Sequence, residues 1–170
     1  MIGRPQSSEA APYYFTYINR VEGEDVVRVL TGQLEETVAW CSKISEEKSL
    51  YRYAEGKWSI RQVLNHVSDS ERVFAFRALW FARGFETALP SYDQNGAAAS
   101  AEADRISWAV HVEEFRRVRL CTISLFENMP PEASMRGGIA SDNRFTVRAL
   151  AYIIAGHLAH HVTLLLERYR

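Results

Sequence analysis

The chain has 170 residues, with 20 Lys and Arg against 21 Asp and Glu, a formal net charge of -1, and is 47% hydrophobic and 12% aromatic. That hydrophobic share excludes intrinsic disorder, and 9 Gly with 5 Pro exclude a collagen-like or low-complexity chain. Balanced charge offers no basic face of the kind nucleic acid needs, so nucleic acid is not an expected partner.

The length fits one domain spanning residues 1–170, with residues 1–12 as a polar tail. Met1 to Ala11 holds no apolar segment of the signal-peptide kind, and no unbroken run approaches the roughly 18 apolar residues of a membrane span. A cytoplasmic protein without a membrane partner is the expectation. Cys41 and Cys121 sit inside helical patterns, not at metal-knuckle spacings, so two reduced core thiols are expected, with a bridge between them the other option.

In chain order, Tyr13 to Val21 is an aromatic segment expected to pack on the body. Gly23 and Asp25 open a first helix, in which Val26, Val29, Leu30, Leu34, Val38 and Cys41 follow i, i+3, i+4 spacing. A second helix starts at Ser59, with Gln62 completing a capping box and Trp58 and Val63 placed as a hydrophobic staple. Its stripe runs from Ile60 through Val63, Leu64, Val67, Phe74 and Ala78 to Phe81, and Gly84 supplies the stop. That is about 24 residues, or roughly 36 Å of helix. Phe85 to Ser100 reads as a long connection. A third helix is predicted from about Ala101 to Asn128, ended by Pro130 and Pro131. Gly137 and Gly138 mark a second irregular connection, and Thr146 caps a fourth helix with Val147, Leu150, Ile154, Leu158 and Leu165 on its stripe. No alternating strand pattern is found. The sequence therefore predicts an all-α protein, a four-helix bundle with long connections.

The fourth helix carries Gly156-His157-Leu158-Ala159-His160-His161. His157 and His161, at i and i+4, stand about 40° apart on the buried stripe, as a helix presents a metal-ligand pair. Two hydrogen-bonded core histidines are the alternative, although two neutral imidazoles in register need four polar partners between them. His66, on the flank of the second helix, is the natural third ligand. His160 lies to one side, as pocket wall or support for a ligand, and His111 falls on the apolar side of the third helix.

Several segments together resemble the DinB/YfiT-like superfamily: Gly56-Lys57-Trp58-Ser59-Ile60, Val63-Leu64-Asn65-His66, Glu71 to Arg77, Ala82-Arg83-Gly84, Leu89-Pro90, Asp93-Gln94, Ala155 to His161 and Glu167-Arg168-Tyr169. The resemblance runs from Tyr13 to Arg170. It implies a four-helix bundle, usually dimeric, with one divalent metal held by a histidine triad. Carried onto this chain, the ligands are His66, His157 and His161, the three that helical spacing also selects. His111 departs from the family pattern, which more often has an apolar residue there. Relatives include thiol-dependent S-transferases, isomerases that use low-molecular-weight thiols, and hydrolases. The reaction does not carry over with the metal.

Three imidazoles suit zinc or nickel better than magnesium or calcium. An ion with an open position lowers the pKa of bound water towards about 7, or holds a substrate thiol as thiolate. Cys41 and Cys121 lack an activating neighbour. Glu71, central on the second helix's stripe, either orients a metal-bound group or pairs with a buried Arg. Arg77, on the flank of His66, either steers an anionic substrate or is a surface Arg. Asp93 belongs to a lid or to a solvated loop. The function expected is thiol-dependent transfer, or hydrolysis, of a small molecule by a metal-dependent homodimer. A non-catalytic metal- or ligand-binding stress-response bundle is the alternative.

Overall fold

A computed structural model describes residues 1–169. Among these residues six α-helices occur: α1 (Phe15–Ile18), α2 (Val26–Cys41), α3 (Ile60–Ala82), α4 (Gln94–Ser100), α5 (Trp108–Glu127) and α6 (Val147–Arg168), with a two-stranded antiparallel hairpin, β1 (Gly137–Ala140) and β2 (Asn143–Thr146), before the last. The four long helices α2, α3, α5 and α6 form the bundle.

Its corners run α2, α6, α3, α5: α3 packs on α6 and α5, and α2 packs on the same two helices. The chain-consecutive pairs α2/α3 and α5/α6 thus sit across the diagonals. Crossing a diagonal takes more chain than a tight αα turn, which accounts for the long segments 42–59 and 128–146. The same arrangement makes the two histidine-bearing helices neighbours, although residues 83–146 separate them in sequence.

Local signals set the helix starts. Ser59 Oγ accepts from the Gln62 N–H at 3.1 Å, and the Ser59 N–H donates to Gln62 Oε1 at 3.0 Å. This reciprocal cap, worth about 1 kcal/mol, fixes the register that later presents His66. Asp25 and Thr146 cap α2 and α6 by a single bond each, accepting from the Val27 and Ala149 N–H groups.

The structure corrects five expectations. The connection read over Phe85 to Ser100 ends in a helix, α4, capped by Asp93. Residues 1–12 are not a free polar tail: Ile2, Glu9 and Ala10 are buried, and Arg4 donates to the Ile18 and Val21 carbonyls. Glu9 accepts from the Thr146 hydroxyl at 2.7 Å and from Arg148 Nε at 2.6 Å, placing a carboxylate at the positive end of α6. The third long helix starts at Trp108, not near Ala101. Glu102 takes a left-handed conformation (φ 47°) that breaks the run, and a distant residue, Glu46, accepts from the Trp108 N–H at 2.9 Å. The second connection contains the hairpin, turned by Ser141 and Asp142 at positive φ. Cys121 is exposed, so only Cys41 is a core thiol, and both are free.

α6 is buried on almost every side from Val147 to Leu158, because α1, the N-terminal segment and the hairpin cover the face turned away from α3 and α2. The helix is long and apolar enough to cross a membrane, with mean hydropathy 1.5 over 18 residues, yet 67% of that window is buried in the fold. Its composition is that of a central core helix.

Candidate metal centre and adjoining pocket

His66 from α3 and His157 and His161 from α6 converge in the core, each less than a tenth exposed. His157 Nε2 stands 3.2 Å from His66 Nε2 and 3.1 Å from His161 Nε2. One nitrogen from each ring lies within 4.8 Å of the other two. A neutral imidazole nitrogen offers either one proton or one lone pair, so His157 Nε2 makes at most one good hydrogen bond to its two neighbours. A cation meets all three lone pairs. Tetrahedral zinc with Zn–N bonds of 2.0–2.1 Å sets its nitrogens about 3.3 Å apart, close to the two distances that His157 makes.

The electrostatic surroundings keep the rings neutral. Burial, followed by the neighbouring histidines, lowers the pKa of His66 to about 4 and of His161 to about 3, and holds His157 well below the ordinary value. All three are neutral at pH 7, with lone pairs available. The remaining ring nitrogens are thinly supported: Ser70 Oγ is 3.5 Å from His66 Nδ1, at the limit of a hydrogen bond, and His161 Nδ1 is buried without a partner. Trp58 packs against His66 with ring centres 4.9 Å apart, and Tyr17 meets His157 edge-on at 5.4 Å.

Gly156 makes the Tyr17 contact possible. A Cβ at residue 156 would fall 2.1 Å from the Tyr17 carbonyl oxygen, so α1 lies directly on α6 one residue before His157. On the open side of His157 is a cavity of about 120 Å³, bordered by Tyr13, Tyr14, Tyr17, Phe74, Tyr92 and Arg77.

A sequence model of the DinB superfamily matches residues 30–165. The chain belongs to the DinB superfamily. Two solved structures show the same fold. YfiT from Bacillus subtilis, described as "a probable metal-dependent hydrolase with an unusual four-helix bundle topology", superposes with a TM-score of 0.70 at 17% identity, over 96% of this chain and 89% of that one. A mycothiol-dependent maleylpyruvate isomerase superposes with a TM-score of 0.69 at 11% identity, over 85% of this chain and 61% of that one. No curated protein matches the sequence.

The other residues singled out in this DinB chain lie in different surroundings. Glu71 pairs with Arg119, whose Nε and Nη2 each donate to it at 2.9 Å, both side chains being buried. Arg119 Nη1 donates to Gln33 Oε1, and Gln33 Nε2 donates to the Ala155 carbonyl, each at 2.9 Å. This network ties α2, α3 and α5 to α6 two residues before His157. Arg77 is buried beside the cavity, donating through Nη2 to the Pro90 carbonyl at 3.0 Å and to Ser141 Oγ at 2.9 Å. Asp93 is the N-cap of α4, accepting from the Asn95 and Gly96 N–H groups, while its neighbours Tyr92 and Gln94 border the cavity. His160 is half-buried, 5.0 Å from the His161 ring and outside the cluster. His111 is buried and pairs through Nε2 with the Ala103 carbonyl at 2.8 Å, holding the turn before α5.

Sequence reasoning missed the tyrosines, Trp58 beside His66, Arg119 and Ser141. The N-terminal aromatic run and Gly156 were the available signals for the tyrosine wall. Nothing local marks Ser141, which reaches Arg77 because Leu89 bridges to the end of β1.

Proposed function

We propose that this chain is a metal-dependent enzyme in which His66, His157 and His161 hold one divalent ion, zinc or nickel, and which carries out thiol-dependent group transfer or hydrolysis on a small molecule. The observation that carries this reading is the convergence of three buried, neutral imidazoles that cannot satisfy one another. When bound, such an ion supplies a nucleophile at neutral pH from water or a thiol.

The chain's own residues divide the remaining work. Trp58 and Tyr17 close two sides of the triad against water, and Ser70 stands behind His66. The tyrosine-lined cavity leaves one face of His157 reachable by a small substrate. No Ser or Cys nucleophile is needed: Cys41 is buried and its pKa is pushed up to about 12. YfiT's description as a metal-dependent hydrolase and the isomerase's use of mycothiol support the two reaction classes. Free cysteines suit the cytoplasm. A homodimer would have the apolar groove between α3 and α5, with Phe76, Leu79 and Leu125, available to it.

The test begins with elemental analysis of protein purified without a polyhistidine tag. Near-stoichiometric zinc or nickel that disappears in His66→Ala, His157→Ala and His161→Ala, and persists in His160→Ala, supports the site. Loaded protein is then assayed on thiol-acceptor and ester or amide substrates, with and without a low-molecular-weight thiol. Absence of metal after incubation with both ions overturns the reading. Full occupancy without turnover leaves the binding-protein alternative.

A further inference from the structure

Among the described residues three arginines are buried, and two are neutralised. Arg61 pairs with Glu46 at 2.5 Å and Arg119 with Glu71 at 2.9 Å. Arg77 is 4% exposed, and among the described residues no carboxylate pairs with it. Its partners are neutral: a carbonyl, a hydroxyl, and the Phe74 ring 5.8 Å from the guanidinium carbon. Both bonds use Nη2, which leaves Nε and Nη1 without a hydrogen bond to the described residues. A buried charge without a counter-ion is costly unless something supplies the opposite charge. Burial accordingly pushes the Arg77 pKa below its ordinary value.

The place of this cation is informative. It borders the same cavity as His157, with tyrosines on the intervening walls. The Pro90 carbonyl and Ser141 hydroxyl clamp one end of the guanidinium, fixing the plane of the fork. Nε and Nη1 remain, on opposite edges of that plane, and each offers one charge-assisted hydrogen bond to a carboxylate oxygen. The other polar groups on the wall, such as Tyr13, Tyr17, Gln94 and Ser70, are hydroxyls and an amide, so the chain itself contributes one positive charge there. That suits a monoanionic carboxylate better than a phosphate dianion.

We propose that Arg77 anchors the carboxylate of a small carboxylic acid whose other end reaches the histidine triad. This assignment rests on the metal-site reading for what happens to the far end of the substrate, but not for the anion contact itself. Arg77 is a binding residue here: its donors face the carboxylate oxygens, while Ser141 and the Pro90 carbonyl orient it.

The experiment uses the full chain, zinc-loaded and isotopically labelled with nitrogen-15. The Arg77 Nε–H signal is assigned by its absence in Arg77→Lys, and benzoate, benzamide and inorganic phosphate are titrated separately. Benzoate is expected to move the Arg77 signal saturably and to bind at least about tenfold more tightly than benzamide. Arg77→Gln should lose about tenfold or more in benzoate affinity with its zinc content unchanged, and Arg77→Lys should fall between. Equal binding of acid and amide by the native chain overturns the proposal, as does native-like benzoate affinity in Arg77→Gln. Phosphate binding tighter than benzoate overturns the carboxylate assignment. If Arg77→Gln fails to fold, the acid-to-amide contrast and the Arg77 signal in the native chain decide alone. A protein that takes up no zinc fails the metal reading, and the same titrations on it still test the anion site.

Discussion

Two of the polar clusters buried in this bundle share α3. Glu71, Arg119 and Gln33 form a closed network: opposite charges meet through bidentate bonds, and Gln33 carries the chain on to the Ala155 carbonyl. One turn nearer the start of α3, His66 meets His157 and His161, three groups of the same kind with nitrogens 3.1–3.2 Å apart and one ring nitrogen wholly unpartnered. The first cluster is complete as it stands, so its contribution is to hold helices together. The second is incomplete by the same accounting, which is the basis for proposing it as a metal site. Completeness of hydrogen bonding, rather than polarity or burial, separates a structural core network from a functional one.

The largest effect should come from opening the closed network. Glu71→Leu or Arg119→Met alone leaves a buried charge and is expected to cost about 3–5 kcal/mol. The double variant should recover much of that loss. Urea unfolding of the four proteins checks this, and additive losses would mean that the two residues do not act as a pair.

The triad should behave in the opposite way. In chelator, His161→Leu should lie within about 1 kcal/mol of the native chain, because it removes an unsatisfied polar group. With free zinc at 100 times its dissociation constant, the native chain should gain about 2.7 kcal/mol and the variant nothing. Thermal melts with and without zinc measure both. A triad variant that unfolds in chelator would make the histidines structural like Glu71.

Gly156→Ala tests how the wall of the site is attached. A methyl group 2.1 Å from the Tyr17 carbonyl must push α1 off α6, with an expected cost of about 1–3 kcal/mol. Tyr17 should lose its contact with His157, read as a changed environment of the His157 ring by NMR.

The smallest effect is confined to acid. Hydrogen bonds from Arg148, the Gln6 N–H and Thr146 outweigh burial and hold the Glu9 pKa below 4.5. Its folded pKa is depressed, so its contribution is present in full above about 4.5 and is lost as pH falls through the folded value. Glu9→Gln should be less stable at neutral pH and should flatten the stability curve below pH 4.5.

Much of the fold was legible because it is written in short range. The Ser59/Gln62 box, the Asp25 and Thr146 caps and the i, i+3, i+4 stripes placed α2, α3 and α6 nearly to the residue. The start of α5 was not legible, since its first N–H is capped by Glu46, which no local pattern connects to Trp108. The hairpin escaped notice because four-residue strands are too short to show alternation. The N-terminal segment reads as polar, yet Glu9 is buried because α6 offers it a positively polarised end and Arg148.

The same division runs through the site. The amino-acid sequence by itself determined the helices, the register of His157 and His161 on one face, and the choice of His66, because backbone capping and 3.6-residue periodicity are local properties. Tertiary structure alone decided that Glu71 meets Arg119 while Arg77 meets no carboxylate of the described residues, and that the N-terminal tyrosines wall the cavity beside His157. Which charges are neutralised depends on which helices become neighbours, and in this bundle neighbours in space are not neighbours in the chain.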